Sequence, residues 1–159
     1  MESFLALVRP PGTSFPKAIS NHSQKNEINY EKALSQHNHY VDALKQQGGK
    51  ILSLPPEDSL PDSTFVEDVA FIYGNKAFLC STKEESRRDE VESVSKVLRA
   101  HLEILQLEPY LDGGDILNTP EVVFAGLSNR TDAKAIQFLS EQLSKKVVPV
   151  PVVKGLHLK

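Results

Sequence analysis

The segment Asp62-Ser63-Thr64-Phe65-Val66-Glu67-Asp68 places three carboxylates within seven residues. Acids converging on one pocket suit a delocalised cation such as a guanidinium, whose planar forked donors match carboxylate geometry. If the segment runs as a strand, alternation sends Glu67 and Asp68 to opposite faces of one backbone. A solvated acidic loop is the plainer alternative, and the spacing reproduces no calcium-loop register. Leu111-Asp112-Gly113-Gly114-Asp115 is the other unusual stretch. Consecutive glycines ahead of a strand point to positive φ or to close approach of the backbone to another group, with a tight turn as the simpler reading. The run is neither a dinucleotide-binding loop nor a P-loop.

The remaining reactive side chains read more quietly. His37-Asn38-His39 resembles a metal pair, but positions i and i+2 of a helix do not share a face, so surface or edge-of-core histidines are expected. His157, in Gly155-Leu156-His157-Leu158, reads by itself as a partly buried structural histidine. Cys80 is the single cysteine, which excludes an internal disulfide framework and a multi-Cys zinc site. It ends an apolar strand, far in sequence from His157 and with no base motif beside it, and reads as a buried inert thiol.

These residues must be carried by elements that the hydrophobic pattern outlines. Phe4–Val8 reads as a buried strand closed by Pro10-Pro11-Gly12, and Thr13–Asn26 as a long mobile loop of the kind that forms lids. Asn29 caps a helix whose apolar face is Ala33, Leu34, His37, Tyr40, Val41 and Leu44, and Gly48-Gly49 ends it before a strand at Ile51–Leu54. Val69–Tyr73, a Gly74-Asn75 turn and Lys76–Cys80 make a hairpin; a helix over Arg87–Leu102 and a strand over Glu103–Leu107 follow. The pattern then starts again: Asp115–Asn118, a Thr119-Pro120 turn, Glu121–Gly126, a helix from about Thr131 to Leu143, and Lys146–Val150. Both passes read strand–strand–helix–strand. Aligning Val66-Glu67-Asp68-Val69 with Gly113-Gly114-Asp115-Ile116 sets the repeat at 47 residues, a period typical of propellers and solenoids. Asp68 and Asp115 then enter equivalent hairpins, and Arg87 and Arg130 both sit where a hairpin hands over to a helix. Around a pseudo-symmetric axis these acids and guanidiniums recur at one end of a channel.

Composition bounds the rest. A chain of 159 residues is enough for one domain, expected over 1–159 with approximate units 1–62, 63–110 and 111–159. The 18 Lys and Arg against 21 Asp and Glu give a net charge of −3, which argues against a dedicated nucleic-acid binder. No run approaches the ~18 apolar residues of a membrane span, and the opening run is too short for a signal peptide, so a cytoplasmic domain is expected.

Taken together, the segments resemble dimethylarginine dimethylaminohydrolase, within the guanidino-modifying group that includes arginine deiminases and amidinotransferases. The resemblance is carried in order by Leu7-Val8-Arg9-Pro10, Ser59-Leu60-Pro61-Asp62 with Phe65-Val66-Glu67-Asp68-Val69-Ala70, Ser86-Arg87-Arg88, Leu111-Asp112-Gly113-Gly114-Asp115, Gly126-Leu127-Ser128-Asn129-Arg130-Thr131 and Gly155-Leu156-His157-Leu158-Lys159. It implies an α/β fold, a five-unit propeller of the pentein type, of which this chain would supply about three units. It implies that Asp62, Glu67 and Asp68 hold a guanidinium, that Arg87 and Arg130 clamp an α-carboxylate, and that a lid-loop backbone group near Ile19 touches the substrate. His157 falls on the general acid/base and Asp112 on the acid that orients it. The implied reaction is hydrolysis of dimethylarginine to citrulline and dimethylamine through a cysteine adduct, with a methylated arginine as small-molecule partner, no metal and no organic cofactor. The family's link to arginine metabolism and nitric-oxide regulation is implied with it.

One element departs from the pattern. The family's nucleophilic cysteine lies near the end of the fifth unit, and Cys80 does not match it. The chain is therefore expected to be inactive alone and to self-associate through exposed propeller edges. A non-catalytic module that binds arginine analogues or a partner, and an arginine deiminase or amidinotransferase, are the competing readings.

Overall fold

The structure, a computed structural model, describes residues 3–153, 155 and 157–159. Leu156, within the terminal Gly-Leu-His-Leu-Lys motif, lies outside them. The chain divides into two compact units, Met1–Val66 and Glu67–Lys159.

In the first unit, β1 (Phe4–Val8) and β2 (Gly49–Ser53) pair in parallel, from Phe4 opposite Gly49 to Val8 opposite Ser53. Parallel neighbours need a crossover, and α1 (Tyr30–Gln46) supplies it. Asn29 caps α1 as its type predicts, its side chain accepting the Lys32 N–H at 2.8 Å. Gly48, at φ +87°, adopts the left-handed conformation that turns the chain into β2. The expected stripe is only half-buried, and Tyr40 is 55% exposed, because α1 packs on a sheet of two strands. The loop over Thr13–Asn26 holds a 3-10 turn at Phe15–Lys17 and runs into a second at Lys25–Glu27. It is tied down where Asp58 accepts the Thr13 N–H and where the Phe15 ring leans on Phe65.

The second unit contains the repeat. Its first pass is α2 (Val66–Val69, a single turn that begins one residue earlier), β3 (Ala70–Tyr73), β4 (Lys76–Ser81), α3 (Glu90–Leu98) and β5 (Glu103–Tyr110). Its second pass is a 3-10 turn at Gly113–Asp115, β6 (Ile116–Asn118), β7 (Val122–Leu127), α4 (Ala133–Gln142) and β8 (Lys146–Pro151). Each pass makes an antiparallel hairpin and then a parallel pairing across its helix, giving sheet orders β3-β4-β5 and β6-β7-β8. The repeat inferred from sequence is thus a repeat of topology.

Several boundaries move. Glu67 and Asp68 are not in a strand but on the helical turn α2, where successive residues diverge by about 100°. The helix expected over Arg87–Leu102 is Glu90–Leu98, preceded by a 3-10 turn at Glu85–Arg87. The strand expected to stop at Leu107 continues to Tyr110 because β4 reaches Ser81 and gives Tyr110 a partner. Both passes share one core, with Phe71, Phe78, Leu107, Ile116, Val123 and Leu139 buried in it. The Phe138 ring meets Phe78 edge-on at 6.4 Å. Among the described residues, no helix is long and apolar enough to cross a membrane.

Candidate active site

The two helical turns that open the repeats carry the acids. Asp68 sits on α2, and Asp112 caps the Gly113–Asp115 turn by accepting the Gly114 N–H at 3.0 Å. Gly113 has no room for a side chain, since a Cβ there would collide with the Glu67 carbonyl. That missing atom lets the two turns lie against each other. The glycine pair is therefore explained by close approach, and neither glycine has a positive φ.

His157 comes between the acids. Its Nδ1 is 3.6 Å from Asp112 Oδ1 and its Nε2 is 4.0 Å from Asp68 Oδ1. The ring is mostly buried, and among the described residues Nδ1 has no hydrogen-bond partner, 3.6 Å being just too long. Guanidiniums close both ends of the cluster. Arg87 Nη1 donates to Asp68 Oδ2 at 2.8 Å, and Arg130 Nη1 to Asp112 Oδ2 at 3.3 Å. The structure brings Asp68, Arg87, Asp112, Arg130 and His157 together from positions as far apart as 68 and 157. Glu67 is at the margin, its exposed carboxylate paired with Lys159.

Arg87 and Arg88 are separated clearly: the Arg87 side chain is 4% exposed and that of Arg88 is 50% exposed. Arg87 is also heavily engaged. Besides Asp68 it grips Glu90, with Nε at 3.0 and 3.1 Å from the two oxygens and Nη2 at 2.8 Å from one. Glu90 was missed by sequence reasoning, although a glutamate three residues after an arginine at a helix start is a legible pairing signal. In the first unit, Asp62 is buried and accepts the Ile19 N–H on both oxygens, at 3.1 and 3.2 Å. The Ile19 N–H, in the loop expected to offer a backbone group to a substrate, is thus held by Asp62.

Burial first, and then repulsion from Asp68, push the Asp112 carboxyl up to about 6, against the pull of His157, the Gly114 N–H and Arg87. Asp68, Asp112 and His157 each offer one ligand atom within 4.8 Å of the others. With Arg87 on one acid and Arg130 on the other, their charge is already compensated, and the set reads as an acid–histidine cluster rather than a metal centre. A cavity of about 360 Å³ shares Glu67, Gly113 and Lys159 with the margin of the site and is walled by Phe71, Ile72 and Leu117.

Cys80 is closer to this cluster than its sequence position suggests. It is buried, its thiol leaning on the Phe78 carbonyl at 3.8 Å. Burial foremost, and then the Asp112 and Asp68 carboxylates, raise its pKa far above the usual thiol range. The fold brings it within electrostatic reach of two acids, which oppose the thiolate.

The family model described as N,N dimethylarginine dimethylhydrolase, eukaryotic, matches residues 9–157. A dimethylarginine dimethylaminohydrolase of Streptomyces coelicolor is 38% identical over 100% of this chain and 64% of its own length. That of Pseudomonas aeruginosa is 31% identical over 96% of this chain and 63% of its own length. A solved structure of the Pseudomonas aeruginosa enzyme, a cysteine-to-serine mutant in complex with citrulline, superposes with a TM-score of 0.89 at 28% identity over 97% of this chain and 63% of that one. The chain thus spans slightly less than two thirds of these relatives. The N-terminal domain of the arginine dihydrolase ArgZ shares the fold, with a TM-score of 0.85 at 17% identity. A family model spanning nearly the whole sequence, and relatives aligned along its whole length, lead to one assignment: the chain belongs to the dimethylarginine dimethylaminohydrolase family, in the pentein superfamily.

Proposed function

We propose that this chain carries the substrate-binding and proton-transferring part of an enzyme that hydrolyses N-methylated arginine to citrulline and dimethylamine. The observation that carries the reading is the His157 ring lying between Asp112 and Asp68, with Arg87 and Arg130 at either end. Asp68 and Glu67 would hold the guanidinium, and Arg130 with Arg87 would receive the α-carboxylate, where bidentate pairing gives orientation as well as strength. The roles of Asp62 and Ile19 in substrate binding rest on the family resemblance. In the family's reaction a cysteine thiolate attacks the central guanidinium carbon, and the C–N bond to dimethylamine breaks as His157 protonates the leaving nitrogen. His157 then takes a proton from water, the water oxygen replaces sulfur at carbon, and citrulline and the thiolate are released. Support for these groups comes from relatives: citrulline occupies the cysteine-to-serine mutant, and another structure is an adduct of a histidine-to-glycine mutant with S-methyl-L-thiocitrulline.

The chain of 159 residues is proposed to be inactive alone, because its single cysteine, Cys80, is buried beside two acids and its thiol is pushed upward. A three-unit division of the chain, a propeller arrangement, a cytoplasmic location, a link to nitric-oxide regulation and self-association through open sheet edges complete the reading. The test is a citrulline-release assay on the purified chain, with and without the portion of the Streptomyces relative that it does not span. Release only after complementation, lost on His157→Gln, is the expected result. Release by the isolated chain that vanishes on Cys80→Ser overturns the account.

A further inference from the structure

Asp115 is fully buried, at 0% exposure, yet has no part in the chemistry above. Its oxygens accept three hydrogen bonds: Oδ2 from Ser128 Oγ at 2.6 Å and Thr131 Oγ1 at 2.7 Å, and Oδ1 from the Leu158 N–H at 3.0 Å. The Ser128 hydroxyl is not at liberty to turn, and that of Thr131 is held on both sides. Ser128 Oγ already accepts from the Arg130 and Thr131 amides, which uses both lone pairs, and Thr131 Oγ1 accepts from the Asp112 N–H. The Ser128 hydrogen therefore has to point at Asp115, the Thr131 hydrogen finds its acceptor in Oδ2, and among the described residues the three groups bonded to this carboxylate are all donors.

The three bonds lead to both members of the His157–Asp112 pair. The Leu158 N–H belongs to the peptide that follows His157, so Oδ1 fixes the backbone on which the ring is mounted. Through Thr131, Oδ2 is linked to the backbone of Asp112. The ring itself rests on Gly114, where a Cβ would come within 2.8 Å of Cγ. Small displacements matter here, because Nδ1 and Asp112 Oδ1 stand at 3.6 Å, on the edge of hydrogen-bond contact.

We propose that Asp115 is the positioning residue for His157: it ties the Leu158 peptide and, through Thr131, the Asp112 peptide to one carboxylate and so sets the spacing of the ring and Asp112. Its meaning for catalysis rests on the proposed role of His157, but the geometry is measurable without turnover. Asp115→Asn puts an NH2 group either against the two hydroxyl donors or against the Leu158 N–H, so one of the two ties is lost whichever way the amide turns. A merely structural role changes stability and leaves the ring's environment alone.

The test uses the 159-residue chain with labelled histidine, the His157 ring nitrogens being assigned by loss of signal in His157→Gln. In the unaltered background, Asp112→Asn is expected to shift those resonances. In the Asp115→Asn background that response is lost. An undiminished response in both backgrounds overturns the proposal. If Asp115→Asn does not fold, amide exchange at Leu158 in the unaltered chain decides: slowing of about a hundredfold against an unstructured peptide supports the anchor, and exchange at the unstructured rate overturns it. Full citrulline release by the complemented His157→Gln chain would instead remove the functional reading and leave these two measurements untouched.

Discussion

Arg87 and Glu90, three residues apart, form a buried forked ion pair: Nε reaches both Glu90 oxygens and Nη2 reaches one, while the side chains are 4% and 2% exposed. Arg87 keeps Nη1 for Asp68. Glu90 thereby fixes the direction from which Arg87 meets the acid of the site.

Removing the charge of Glu90 leaves buried Arg87 with Asp68 as its remaining ion-pair partner among those described, so Glu90→Gln should lower stability by about 3 kcal/mol in denaturant unfolding. The same substitution frees Arg87 to move from Asp68. A loss below about 1 kcal/mol, as for a surface pair, would show that Glu90 is not what holds Arg87.

Asp112 should impose a pH dependence on stability. Its carboxyl is raised from 3.8 to about 6 in the folded chain, so over that interval the folded state holds the proton more tightly than the unfolded state. The contribution is fully present below the unfolded value and is lost as pH rises through about 6. Measured as the difference in unfolding free energy between the native chain and Asp112→Asn, it should fall by about 1–3 kcal/mol from pH 4 to pH 7. A difference that is flat, or that rises with pH, would contradict the raised value.

The adjacent glycines should fail differently. Gly113→Ala drives a methyl into the backbone carbonyl of Glu67, which cannot move without α2, and should cost about 3 kcal/mol. Gly114→Ala meets the His157 ring instead, a side chain rather than backbone. It should cost less than about 1 kcal/mol and still displace the ring, visible as changed His157 resonances. Equal thermal losses for the two variants would refute the distinction.

In the first unit, Asp62→Ala removes both acceptors of the Ile19 N–H. Exchange of that amide should accelerate about tenfold or more, the equivalent of a lost hydrogen bond to a charged group. Unchanged exchange at Ile19 would mean that the loop is held by its other ties, Thr13 to Asp58 and Phe15 to Phe65.

Much of the fold was legible from local signals. Asn29 and Gly48 bound α1, Gly74-Asn75 marks the first hairpin turn, and the 47-residue offset announces the repeated topology, because caps, turns and hydrophobic period are properties of neighbours in sequence. Candidate site residues such as Asp112 and His157 were legible only through family resemblance, since neither has a local pattern that distinguishes it from a turn acid or a structural histidine. The repeat predicted equivalent positions for Asp68 and Asp115 but not their different fates. Asp68 meets Arg87 from the segment after β4, whereas Asp115 meets Ser128 and Thr131 from the segment after β7 and becomes an anchor. Likewise Arg130, expected to mirror Arg87, pairs with Asp112, and Cys80 comes under the influence of two acids far from it in sequence. Those outcomes depend on which side chains of turns tens of residues apart are brought face to face, and on the space a missing Cβ leaves between them. Hydrophobic period encodes which face of an element is buried; it carries no information about the partner that face will find, and only the packed chain decides that.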